Sequence, residues 1–145
     1  MKVFTQFNEA SLHTLWESAV KQEPKHWPFF TLAWHQAWYT HFGTDEQLMI
    51  VGDETNRTVL PLSISGTTAH FTGGEEIADY LDAIGPIAHK GALWQEAISV
   101  LKARGVTRLM LRNIPQPSES LTYFRSISAT TVTEEDATPL LALPK

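Results

Sequence analysis

Apolar residues recur along this chain with two periods, and the switches between them mark out the elements. Residues 2–7 (KVFTQF) alternate and predict a first short strand. Asn8 can cap a helix in which Leu12, Leu15, Trp16, Ala19 and Val20 fall at the spacing of one buried face. Pro24 and Pro28 interrupt the pattern. Thr31 then caps a second helix with Trp34, Ala37, Trp38, His41 and Phe42 on its buried face, stopped by Gly43. Three β-rich runs follow, QLMIVGD, TVLPLSIS and TAHFTG, and their hairpin-length connections predict an antiparallel meander. Pro61 in the second run has no N–H to give a ladder, so its expected place is an edge or a bulge. In the second half, residues 92–103 carry Leu93, Trp94, Ala97, Ile98 and Leu101 on one face and end at Gly105, and RLMLRNI reads as a strand. A Ser118-capped helix to about residue 127, a polar strand at 130–133 and an apolar strand at 139–143 complete the prediction.

Composition narrows the function classes. A chain of 145 residues is one domain by length, enough to bury roughly 68–70% of its unfolded surface without a disulfide or structural metal. Its net charge of −5 and the absence of a Lys/Arg cluster argue against nucleic acid as a partner. There is no cysteine, and the six histidines, at 13, 26, 35, 41, 70 and 89, show neither HxxxH nor HExxH spacing, so no metal site is predicted. No apolar run approaches the ~18 residues of a membrane span, and MKVFTQFNEASLH lacks the apolar core of a signal peptide. The expected location is cytoplasmic. Ser63, Ser65 and the histidines form no GxSxG-type elbow, which leaves hydrolase chemistry unsupported. His35 and His41 lie nearly opposite on a helix and have no joint role, while His70 is either a base or a neutral core or surface histidine.

The chemically richest stretch is FTGGEEIADYLDAIGP, residues 71–86, in which four carboxylates and three glycines surround two aromatics. Carboxylates of this kind serve as general bases, and they are equally the ordinary content of a surface loop. Glu75, Glu76 and Asp82 read as solvated loop residues, and Thr72-Gly73-Gly74 reads as a tight turn.

The element order, together with PFFTLAWHQAWYTHFG, VLPLSIS, GEEIADYLDAIGP and GVTRLMLRNIPQPSES in that sequence, resembles the N-terminal half of the BioF2-like or CelD-like GNAT proteins. These are relatives of the FemAB peptidyltransferases and carry two GNAT-like domains in tandem. The resemblance spans residues 15–145. It implies an α/β (α+β) GNAT-like acyl-CoA N-acyltransferase fold, with a mixed, mostly antiparallel sheet flanked by helices. It also implies that residues 1–145 form a single GNAT-like domain, the N-terminal half of such a pair. By the same resemblance Asp79 and Tyr80 face the cleft between the domains as catalytic candidates, the carboxylate orienting an amine and the phenol donating to an oxyanion. Against this stands a structural reading in which Asp79 caps a turn and Tyr80 plugs the core. Trp34 and Trp38 match the family's aromatic second helix and are candidate substrate-binding residues, although helical spacing favours core packing.

A GNAT domain that binds acyl-CoA uses an (Arg/Gln)-x-x-Gly-x-(Gly/Ala) loop whose backbone N–H groups hold the pyrophosphate. The corresponding residues here, AIGPIAHKGALW, depart from it; Lys90-Gly91 is the one local candidate for a phosphate. No cofactor is therefore expected in this chain, and acyl-CoA is implied for a second domain. The functional expectation is a GNAT-superfamily N-acyltransferase domain that contributes acceptor-side surface for acyl transfer to an amine and is an enzyme only together with a second domain. The alternative is a non-catalytic binding module with a degenerate GNAT fold. Expected partners are a second GNAT-like domain or a homodimer, with an amine acceptor and neither nucleic acid nor membrane. The homodimer follows from the apolar TPLLALPK strand, which wants cover on both faces.

Overall fold

A computed structural model describes residues 1–127. The predicted strands at 130–133 and 139–143 lie outside the described residues. The fold is mixed α and β, with five strands in one sheet in the order β1-β2-β3-β4-β5. These are β1 (Lys2–Phe4), β2 (Gln47–Asp53), β3 (Thr58–Ser65), β4 (Thr68–Phe71) and β5 (Arg108–Leu109). The meander is present as expected: β2 runs antiparallel to β3, and β3 to β4. The last pair, β4 with β5, is parallel. Parallel neighbours need a crossover, and helix α3 (Lys90–Ala103) provides it.

Helices cover both faces of the sheet. Successive strand residues point to opposite sides, so β2 and β3 must be apolar throughout to be buried twice over. Met49, Val51, Leu60 and Leu62 face one core with Leu93, Trp94, Ala97 and Leu101 of α3. Leu48, Ile50 and Val59 face the other with Leu12, Leu15, Trp16 and Ala19 of α1 (Ala10–Gln22). Gly52 lets α1 approach closely, since a Cβ there would lie 2.5 Å from a Leu15 methyl. The predicted buried faces of α1 and α3 are thus the observed ones.

Four expectations need correction. Asn8 does not cap α1; Glu9 occupies that position without a side-chain bond, and His13 Nε2 meets the Phe7 carbonyl at 2.6 Å beside it. Pro61 lies in the interior strand β3, opposite Ile50, not at an edge or bulge. Its carbonyl accepts from Thr72 N, so its ring nitrogen turns to the same side, where β4 has already ended at Phe71. The one bond forgone is the reciprocal one to the Thr72 carbonyl, at the very end of the β3–β4 ladder. The second helix, α2 (Leu32–Trp38), is capped by Thr31 as predicted, but it runs into a π-helical turn at Tyr39–Gly43 that shifts the period. Its buried residue is His35, while Trp34 and Trp38 are half-buried and Phe42 is exposed. Finally, RLMLRNI pairs as a strand only at Arg108–Leu109. Beyond the Met110 N bond to Ala69 O, the segment turns to the 78–82 loop, where Leu81 N donates to the Asn113 carbonyl. The Ser118-capped helix is α4 (Glu119–Arg125).

Candidate functional site

Residues 72–86 leave the C-terminal end of β4 where β4 and β5 part, and they are anchored along their length. At the first anchor, α2 holds the glycine turn. Trp34 Nε1 donates to the Gly73 carbonyl at 2.8 Å, and Thr72 Oγ1 lies 2.6 Å from His35 Nδ1. Gly73 and Gly74 both have positive φ, and a Cβ on Gly74 would meet Trp38 at 2.7 Å. Glycine is required here by backbone conformation and by the indole above it. His35 is fully enclosed; burial lowers its pKa to about 4, with the Phe29 carbonyl opposing. Because that carbonyl can only accept, Nε2 carries the proton at 2.8 Å from it, and Nδ1 accepts from Thr72.

The second anchor is Asn113, whose amide donates to the Glu75 and Ala78 carbonyls. Tyr80 forms the third by stacking on Trp27 at a centroid distance of 4.0 Å and an interplanar angle of 19°. Lys25 Nζ lies 5.2 Å from the Trp27 ring. The Tyr80 hydroxyl makes no hydrogen bond among the described residues, and its ring is half-buried against the α1 core. Asp79, between these anchors, is exposed and accepts no bond among the described residues, so it caps no turn.

Asp82 overturns the expectation of a solvated loop residue. It is buried, accepting from Ser118 Oγ at 2.6 Å, from Ser120 Oγ and from Ala83 N. Lys90, also buried, reaches Glu23 at 2.9 Å and Asp82 at 3.8 Å. Glu23 in turn accepts from Gly85 N at 2.9 Å. One ammonium thus faces two carboxylates out of water at the start of α3; the surplus negative charge is met by hydrogen bonds, and every oxygen is bonded. A cavity of about 140 Å³ lies beside this cluster, lined by Lys25, Ile87, Pro117 and Thr122 among others. Burial lowers the Lys25 pKa, with nearby Asp82 opposing that shift.

A second cluster escaped the sequence reading. Ser63 and His70 are cross-strand partners, and Glu46 joins them: Ser63 Oγ donates to Glu46 at 2.7 Å, and His70 Nε2 lies 2.8 Å from the same carboxylate. His70 Nδ1 is 2.9 Å from the Phe71 carbonyl. In a serine nucleophile relay the acid and the hydroxyl meet opposite nitrogens of the imidazole. Here both meet Nε2, Ser63 Oγ at 3.2 Å, so the cluster is a hydrogen-bonded strut beneath Trp38, which meets His70 edge-on. The strand alternation placing Ser63 opposite His70 was the available signal. Among the described residues no group of three or more His, Asp or Glu side chains could hold a metal ion.

The structure therefore brings Trp34 and Trp38 together at the glycine turn and places Asp79 and Tyr80 farther along the same segment, beside Trp27. No protein-family model matches the chain, and neither a curated protein nor a solved structure is significantly similar to it. No described helix is long and apolar enough to cross a membrane.

Proposed function

We propose that this chain is a GNAT-like domain of the BioF2-like or CelD-like type, contributing acceptor-side surface to an N-acyltransferase whose acyl-CoA is held by a second domain. The observation that carries the reading is the split between β4 and β5. Their parallel pairing covers Thr68–Arg108 and Ala69–Leu109 only, and the segment bearing Asp79 and Tyr80 emerges at that split. In sheets with parallel neighbours, ligands bind outside the carboxyl ends of diverging strands. An antiparallel meander leading into β4-α3-β5 is also the element order the resemblance requires.

The start of α3 supports the absence of a cofactor in this chain. The Gly85 N–H and the Lys90 ammonium, the groups that could hold a pyrophosphate, already serve the Glu23 carboxylate. In the proposed reaction an acceptor amine, oriented by Asp79, attacks the thioester carbonyl; the Tyr80 hydroxyl hydrogen-bonds to the oxyanion, the C–S bond breaks as the amide forms, and the proton shed by the amine is taken up by the departing thiolate, so that CoA leaves as the thiol. Calorimetric titration tests the division of labour: acetyl-CoA and CoA give no saturable heat with the chain alone, and a micromolar constant for either refutes it. For the acceptor role, Tyr80→Phe in the joined two-domain protein lowers turnover without shifting Tm, whereas unchanged turnover refutes a role for the hydroxyl.

A further inference from the structure

The surface beside the glycine turn carries more than the Asp79 carboxylate that the acyl-transfer reading uses. Ile77 is 54% exposed, an unusual place for a β-branched apolar side chain in a loop. It does not stand alone. A Cβ on Gly74 would meet Trp38 Cδ1 at 2.7 Å and Ile77 Cγ1 at 2.9 Å, so the two side chains close over the glycine as one apolar ridge. The Trp38 indole N–H makes no hydrogen bond among the described residues, leaving a donor on a half-buried ring. Acidic groups border the ridge. Glu75 is matched by Arg112 at 3.6 Å, but the exposed carboxylates of Glu76 and Asp79, on either side of Ile77 in sequence, have no ion-pair partner among the described residues.

We propose that this ridge of Trp38 and Ile77, bordered by Glu76 and Asp79, docks a short cationic segment of a partner protein, one that carries Lys or Arg beside an apolar side chain. Charge complementarity selects that occupant. The surplus carboxylates repel an anionic membrane surface, and they disfavour a second copy of a chain whose net charge is −5. An enclosed small molecule is also a poor fit. Two cavities, of about 360 and 140 Å³, are lined by other residues, and none of Trp38, Ile77 or Asp79 contributes to either, while Ile77 itself stands largely in solvent. An extended segment can lay its apolar side chain on the ridge, accept the indole N–H on a backbone carbonyl and set its cation against Glu76 or Asp79. This goes beyond the acyl-transfer reading and would stand without it.

The test is amide and indole NMR of the full chain, titrated with a short peptide alternating lysine and leucine and with its glutamate–leucine counterpart. The lysine peptide is expected to shift residues 74–80 and the Trp38 indole, and to bind more weakly as salt is raised. Glu76→Gln combined with Asp79→Asn should weaken binding by about fivefold, and Ile77→Ser, at an exposed position that leaves the fold intact, by a similar factor of about five. Equal binding of the glutamate peptide, or undiminished affinity in the charge variant, would overturn the proposal. So would shifts confined to other residues. Ridge signals that move on dilution without peptide would mean that a second copy covers the surface, which also overturns it.

Discussion

His35 makes the acid stability of this protein calculable. Its ring is buried between the Phe29 carbonyl and the Thr72 hydroxyl, and burial drops its pKa from 6.5 to about 4. The folded state therefore resists the proton that the unfolded state accepts. Stability from this group is whole above pH 6.5 and falls as pH drops from 6.5 towards 4. At 1.36 kcal/mol per unit, the loss between about pH 7.5 and about pH 4.5 is roughly 2.5 kcal/mol. That is a large part of a total of ~5–15 kcal/mol. Carboxylates titrate over part of the same range, so the informative quantity is a difference between two proteins. His35→Gln keeps a donor for Phe29 but has no proton to gain. It should be less stable near neutrality and yet have a flatter pH profile, so the gap between the two proteins narrows by roughly 2.5 kcal/mol on acidification. Urea unfolding followed by tryptophan fluorescence across the range measures both curves. Parallel curves would refute the argument, because they would mean that the imidazole is not protected from protonation.

Two further outcomes follow from the cores. Lys90→Met strips the ion-paired ammonium from two buried carboxylates and should destabilise the fold by about 3–5 kcal/mol in urea unfolding, with Glu23→Gln in the same chain recovering part of it; a single variant as stable as the parent would remove the ion cluster from the stabilising interactions. Trp94→Ala, which empties a fully buried site and removes the indole donor to Ser120 Oγ, should cost about 3–5 kcal/mol, whereas the half-buried Trp38→Ala should cost about 1–2 kcal/mol, and calorimetric melting that ranks them the other way would contradict the burial assigned to each.

Whatever depends on neighbours within one or two turns was legible in the sequence. The apolar spacing of α1 and α3, the Thr31 and Ser118 caps and the three runs of the meander are local chemistry, because a helix buries one stripe and a hairpin needs only a short turn. The 71–86 stretch stood out by composition for the same reason. What that composition does was decided by residues far along the chain. Asp82 reads as a solvated acid until Ser120, 38 positions away, and Lys90 close around it. Glu23 is paired with a lysine 67 positions on. The face that α2 buries departs from its apolar spacing because His35 is drawn inward by Thr72, 37 residues later, and by Phe29, while the π-helical turn breaks the period. Pro61 reads as an edge or bulge residue because sequence shows a missing N–H but not the strand that stops short beside it. Hydrophobic period is written along one element, so sequence carries it. Compensation of a buried charge or donor is a property of whatever the fold brings within about 3 Å, and only the tertiary structure supplies that.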